Sequence, residues 1–315
     1  MIITNKLKER FCKDSNIPIH IFQEPYFTDR LKLYDNFYGT LEKWDIFVKE
    51  LEKYHCEQDY FEEYNRVKDD AINFIKSTEA YKRFNEEDMN QFAVTHKDMP
   101  SKDIYHPDND GKTFISIDMC KANFSSLKHY DKDMFADECT WELFMRKFTD
   151  NQHIIHSKYI RQVILGNCNS RRHISYEKYL MGLVLDKLLK WKSTLKDRIV
   201  FFSNDEIVFD ITDVEDEDKD VLHFSIALIA SSFNFPPLKV EVFILHRING
   251  VDGYLKEVVT PNCVSSYKTK CVNNYMLPFV LRKLNNEEIT ENDKVFYHEG
   301  LLAQFIEVPN IEINI

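Results

Sequence analysis

Residues 198–211 read RIVFFSNDEIVFDI, and the fold class turns on this stretch. RIVFFS is rich in β-branched and aromatic residues, and in the run after it Ile207 and Phe209 alternate with Val208 and Asp210. Period-two alternation interrupted by Asn and Asp predicts two strands joined as a hairpin, with Asn204, Asp205 and Glu206 at or near its tip. Upstream, TFISID (113–118) alternates in the same way and predicts a strand closing on Asp118, after which ANFSSLKHY (122–130) turns into a helix. Two carboxylate sites therefore stand at strand ends. Acids often end strands merely as turn formers, so neither site alone decides the chemistry. Together they have the makings of a metal site for phosphoryl transfer, which needs acidic oxygens from different strands brought close enough to share divalent cations.

Outward from this centre, residues 39–93 repeat apolar positions at three- and four-residue spacing without Pro, which predicts helices. DMPSKDIYHPDNDGK (98–112) concentrates Pro, Asp, Asn and Gly and marks a junction. EKYLMGLVLDKLLKW (177–191) is apolar on most of its faces and predicts a largely buried helix. DVEDEDKD (213–220) reads as a solvated acidic turn. Further strands are expected at LHFSIALIA (222–230), KVEVFILHRI (239–248) and GYLKEVV (253–259), with a helix-rich finish through YMLPFVLRKL (275–284). The fold class is α+β, in three parts: a helical region over 1–99, a region over 100–220 with an antiparallel sheet and a short helical insertion at about 135–192, and a β-rich extension over 221–315.

Composition sets the outer bounds. Hydrophobic residues at 43% and aromatics at 14% exclude the disordered class and imply a packed core. Gly is scarce, at 7 residues, while Lys, Asn, Ile and Phe are plentiful, as in an AT-rich, viral coding sequence. The seven cysteines, Cys12, Cys56, Cys120, Cys139, Cys168, Cys263 and Cys271, are odd in number and form no CxxC pair, so neither a disulfide framework nor a zinc ribbon is indicated. The charged N-terminus MIITNKLKERFCKD lacks a secretory apolar stretch, and no run approaches a bilayer span. The expected location is the cytoplasm or a viral replication compartment, with no membrane partner. The net charge of -11 argues against indiscriminate nucleic-acid binding, yet residues 151–200 hold ten Lys/Arg against three acids, so a local +7 sits in a remainder of -18. Such a region is either a phosphate-binding surface or a solvated helix face.

Three segments, in order, resemble the palm of family A DNA polymerases, the DNA polymerase I type. FISIDMCKANFSSLKHYDKD looks like motif A, in which a strand delivers a metal-binding Asp, here Asp118. MGLVLDKLLKWKSTLKDRIVFFSNDEIVFDI looks like motif C with its preceding helix, with Asp205 and Glu206 matching the acidic pair and Asn204 standing where that family has His. YIRQVILGN between them is similar to the fingers helix, with Arg161 at the triphosphate-binding Lys position, Leu165 at an aromatic position, and Ser157 where an upstream triphosphate-binding Arg is usual. The resemblance covers about residues 113–212. It implies a palm with short fingers, a thumb-like role for the N-terminal helices, and template-directed nucleotidyl transfer on a minimal palm. Mg²⁺ (or Mn²⁺) would be held by Asp118 and Asp205, Glu206 would support the site, and Lys158, Arg161, Arg171 and Arg172 would face triphosphate or template. Its implied partners are nucleic acid, nucleoside triphosphates and proteins of a replication complex. The alternative is a catalytically inactive polymerase-like module for binding or assembly in such a complex.

Other features carry less. His153, His156 and His173 lie in the basic region and either approach phosphates or are surface histidines. Cys120 reads as a small core thiol rather than a nucleophile. SRRHISYEKY mixes Arg with aromatics, as phosphate contacts paired with base stacking would, or as a polar turn would. No Walker A, GxGxxG or HExxH pattern occurs.

Overall fold

The computed structural model describes residues 1–94, 96–233, 237–260 and 265–315. Its N-terminal part is helical: α1 (Asn5–Ser15), α2 (Tyr26–Tyr38), α3 (Thr40–Leu51), α4 (Glu57–Ser77) and α5 (Glu79–Glu86). α4 shows why. Tyr60, Tyr64, Val67, Ala71 and Ile75 recur at helical spacing and are its buried residues, and Glu57 and Asp59 occupy the first turn, where the helix dipole favours acids. Strand β1 (Thr113–Met119) follows, then the helices α6 (Ala122–Tyr130), α7 (Trp141–Met145), α8 (Gln152–His156), α9 (Lys158–Gly166) and α10 (Ser170–Trp191). The hairpin β2 (Ile199–Phe202) and β3 (Glu206–Asp210) leads into α11 (Asp216–Ser231), β4 (Leu238–Asn249), β5 (Gly253–Val259), β6 (Ser266–Lys270), α12 (Leu277–Leu284), β7 (Val295–His298), β8 (Leu301–Gln304) and β9 (Glu312–Ile313). The chain is mixed α+β, with no helix among the described residues long and apolar enough to cross a membrane. Cys263 lies outside the described residues, and the other six cysteines are free.

The main sheet is antiparallel in the order β2-β3-β1-β4-β5-β6, with β9 added against β4. Because side chains alternate along a strand, β1 has two faces of different character. Ile115, Ile117 and Met119 join the large core shared with the helices, including Leu180, Met181 and Leu185 of α10. Phe114 lies on the opposite face with Val208, Phe243, Leu245, Tyr254 and Val258, in a smaller cluster capped by Ile104. Asp118 and Ser116 share that second face by parity. Leu180 and Leu188 of α10 are fully buried, and truncating either to Ala is expected to cost about 2–5 kcal/mol.

Two expectations need correction. LHFSIALIA is not a strand: 216–231 is α11, with Leu222, Ile226 and Ala230 buried at four-residue spacing and Val221, Phe224 and Leu228 left 60–70% exposed. The acidic run expected as a turn supplies its first turn, Asp216, Glu217 and Asp218, stabilised by the helix dipole. Second, the boundary at residue 220 falls inside α11, and β4 to β6 of the expected separate extension hydrogen-bond into the sheet of β1 to β3. The helix expected at 275–284 is α12, and strands β7 to β9 follow it. The turn between β4 and β5 holds Gly250 at φ +86°, where an added Cβ would lie 1.9 Å from the Asn310 carbonyl oxygen. Only glycine there lets the C-terminal segment close on β4. A buried ion pair fastens the two ends of the chain: Arg30 of α2 donates to Asp293 at 2.6 Å, and Arg282 holds the other carboxylate oxygen at 3.0 Å.

Candidate active site

The acid-bearing turn is built by its own serine. Ser203 donates its backbone N–H to the Glu206 carbonyl at 2.9 Å, its hydroxyl oxygen accepts the Glu206 N–H at 3.0 Å, and the same hydroxyl reaches Asp205 Oδ1 at 3.0 Å. This side-chain-to-backbone bonding makes SNDE a tight connection. The turn is then stitched to β1, whose Met119 N–H donates to the Asp205 carbonyl at 2.8 Å. Asp118 is registered opposite Glu206. Since the Met119–Asp205 bond flanks them, they are a non-hydrogen-bonded pair, the class in which Cα atoms approach to about 4.5 Å. Asp118, Asp205 and Glu206 thus meet at one end of two neighbouring strands.

Electrostatics records their proximity. Burial raises the Asp118 carboxyl above its ordinary value, and the charge of Asp205 raises it further. Burial also raises Glu206, with Asp118 and Asp205 adding to the effect while Lys256 opposes it. Lys256, on β5, is 6% exposed and lies over the Phe243 ring at 4.0 Å. Burial lowers its pKa, against the pull of Glu241 and Glu206. Glu241 is pushed down to about 2: burial acts upward on it, but Lys239, Lys256 and Lys268 together outweigh that. An ammonium cluster on β4 to β6 therefore adjoins the acids. Composition pointed to residues 151–200 for cations and missed this set, although Lys256 sits conspicuously among apolar neighbours in GYLKEVV.

Asp118 and Asp205 line a cleft of about 540 Å³ whose other walls are the α6 entry (Lys121, Ala122, Asn123), α9 (Lys158, Arg161, Gln162) and α10 (His173, Ile174, Glu177). α9 is fixed by Ser157, which caps it by accepting the Ile160 N–H and donates to the buried carboxylate of Asp14 at 2.9 Å. Among the described residues Arg161 makes no side-chain hydrogen bond or ion pair, and its Nε is buried without a partner. Burial lowers its pKa, partly offset by the charge of Glu142. Lys158 is exposed and likewise without an ion pair among the described residues. A half-buried guanidinium with no hydrogen-bonded or ion-paired partner, facing a carboxylate cluster across a cleft, is arranged for an anion.

The other expected basic residues are not brought there. Arg172 donates to the Phe84 carbonyl at 2.9 Å and to that of Glu87, tying α10 to the end of α5. Arg171 is exposed and is not part of the cleft wall. Of the histidines, His156 is exposed, whereas His153 is buried against Asp14 at 3.2 Å and His173 is buried against Glu177 at 3.2 Å. Asn204 donates to the second oxygen of Glu177 at 2.6 Å, so α10 grips the acid-bearing turn through it. The signal for this in the sequence was the i,i+4 spacing of His173 and Glu177 on a helix. Cys120 is partly exposed rather than a core thiol, its pKa raised by burial and by Asp118.

The donor set suits a hard divalent cation. Two mutually repelling, half-buried carboxylates are relieved by one, and Mg²⁺ typically takes one or two carboxylates and completes its shell with water and substrate phosphates. Among the described residues no group of three or more His, Cys, Asp or Glu side chains is arranged as a self-sufficient metal cage. No family, curated protein or solved structure matches this chain.

Proposed function

We propose that the chain is a nucleotidyltransferase of the template-directed, DNA polymerase-like kind, acting through divalent cations held by Asp118 and Asp205. One observation carries the reading: two acidic sites far apart in sequence converge at adjacent strand ends and face, across one cleft, Arg161 and Lys158, which make no ion pair among the described residues. Bound Mg²⁺ would lower the pKa of an attacking hydroxyl and absorb charge on the phosphoryl oxygens. The protein's own share is positioning. Ser203 and the Met119–Asp205 bond hold the carboxylates, Glu206 supports them from its position opposite Asp118, and Arg161 and Lys158 orient and neutralise the triphosphate. Nucleic acid would lie along the sheet face that carries Lys239, Lys256 and Lys268.

The charge of buried Lys256 acting on Glu206 favours a second reading, a polymerase-like module that binds nucleic acid in a replication complex without catalysis, because a resident ammonium already offsets part of the acidic charge. The two separate in one assay: incorporation of labelled nucleotides on primed and unprimed DNA and RNA with Mg²⁺ or Mn²⁺. The catalytic reading predicts incorporation by the wild type and none by Asp118→Asn or Asp205→Asn. A wild type that binds the templates but extends none of them refutes it in favour of the module.

A further inference from the structure

Two residues of the cleft wall, Arg161 and His173, each hold a polar atom buried without a hydrogen-bond partner, Arg161 Nε and His173 Nε2. They have opposite needs. Arg161 Nε–H is a donor. His173 is 5% exposed, and behind it Glu177, 2% exposed, receives the Asn204 amide on one oxygen and faces His173 Nδ1 with the other. A carboxylate accepts only, so Nδ1 carries a ring proton, and in the neutral ring Nε2 presents a lone pair. Buried acceptors in native proteins are nearly always paired, so an unpaired one beside a cleft marks where a donor on a ligand belongs. Ile174, 46% exposed, adds an apolar patch to the same wall.

The walls divide a bound nucleotide among them. Carboxylates on the β1 and β3 side, through divalent cations, and cations on α9 would take the phosphates, which leaves α10 for whatever the phosphates are attached to. We propose that His173 Nε2 accepts a hydrogen bond from a sugar hydroxyl of a nucleotide in this cleft, with Ile174 against the sugar's carbon face, so that α10 selects substrates by their sugar. The assignment rests on the reading that the cleft takes a nucleotide. It also explains Glu177: the carboxylate fixes the tautomer that leaves Nε2 free to accept, while anchoring Asn204 beside the catalytic acids.

The test is calorimetric titration of the wild type, in Mg²⁺, with four nucleotides that differ only in the sugar: ATP, 2′-deoxy-ATP, 3′-deoxy-ATP and 2′,3′-dideoxy-ATP. The dideoxy compound should bind at least about tenfold more weakly than whichever monodeoxy form keeps the recognised hydroxyl, because a site built for a hydroxyl discriminates strongly against its absence. His173→Phe should erase that gap while leaving dideoxy affinity unchanged, and His173→Gln, whose amide oxygen supplies an acceptor, should restore it. Wild type that binds all four equally overturns the sugar assignment and leaves the nucleotide reading standing. Wild type that binds none of them overturns both. If His173→Phe fails to fold, as circular dichroism would reveal, the wild-type series decides the matter alone.

Discussion

Replacing Asp118 by Asn should stabilise the metal-free protein, an inversion of the usual outcome for a buried polar change. The Asp118 carboxyl is held above its ordinary value of 3.8, first by burial and then by Asp205. A group with a raised carboxyl pKa binds a proton in the folded state that the unfolded chain has already released. Stability from this site is therefore greatest at low pH and is lost as pH rises from the unfolded value through the folded one. At pH 7 the ionised Asp118 is a net cost that Asn does not incur. A like-charge contact in a partly hydrated site is worth on the order of 1 kcal/mol, about 2 °C in Tm for a chain of this size. Mg²⁺ should reverse the ranking. Binding only the folded wild type, at a hundredfold excess over Kd it adds about 2.7 kcal/mol, and Asp118→Asn should gain little. Scanning calorimetry in chelator and in Mg²⁺ across pH 4 to 8 measures all of this. A variant that melts below wild type in chelator, or an equal Mg²⁺ response in both proteins, would refute the reasoning.

The remaining predictions concern the cations and the chain ends. Arg161→Ala with Lys158→Ala should weaken nucleic-acid or triphosphate binding by at least tenfold, about 1.4 kcal/mol, and flatten the dependence of log affinity on log salt by one to two units; a filter-binding series at several salt concentrations checks it, and an unchanged slope counts against the cleft as a phosphate site. Arg172→Ala should do the converse, losing about 1–3 kcal/mol of stability because the Phe84 and Glu87 carbonyls lose their donor, with the salt slope of binding unchanged; urea titration alongside the binding series tests it. Asp293→Ala should cost about 3–5 kcal/mol by leaving the Arg30 guanidinium buried and unpaired; denaturation as stable as wild type would show that the pair does not join the chain ends.

What could be read from the sequence was local. The hairpin at 199–210, the strand at 113–119 and the helix over 177–191 each carry their own periodicity and turn residues, so no distant contact was needed to foresee them, whereas residues 170–176, which read equally as a polar turn, form the start of α10. α11 was misread because its aliphatic run fits a buried strand as well as a helix, and length alone does not separate the two. The exposed Val221, Phe224 and Leu228 show that its apolar content does not report burial. The joining of β4 to β1 is a pairing between residues 113–119 and 238–244, and nothing within either segment names the other. For the site, strand-end position identified Asp118, Asp205 and Glu206, and the likeness of YIRQVILGN to a fingers helix singled out Arg161. Counting charge along the chain gathered Lys158 and Arg161 but grouped Arg171 and Arg172 with them, although the face of α10 that a residue occupies decides where its side chain goes. His173 and Lys256 depend on tertiary burial, which a linear reading cannot supply.

The account stands on a divalent cation shared by Asp118 and Asp205. Anomalous diffraction from crystals soaked in Mn²⁺ and a nucleoside triphosphate tests it most directly. The account predicts a peak within about 2.2 Å of a carboxylate oxygen of each residue, with the triphosphate extending from it toward Arg161. Mn²⁺ density elsewhere, or a triphosphate seated in the crystal with no metal between these two carboxylates, would contradict it.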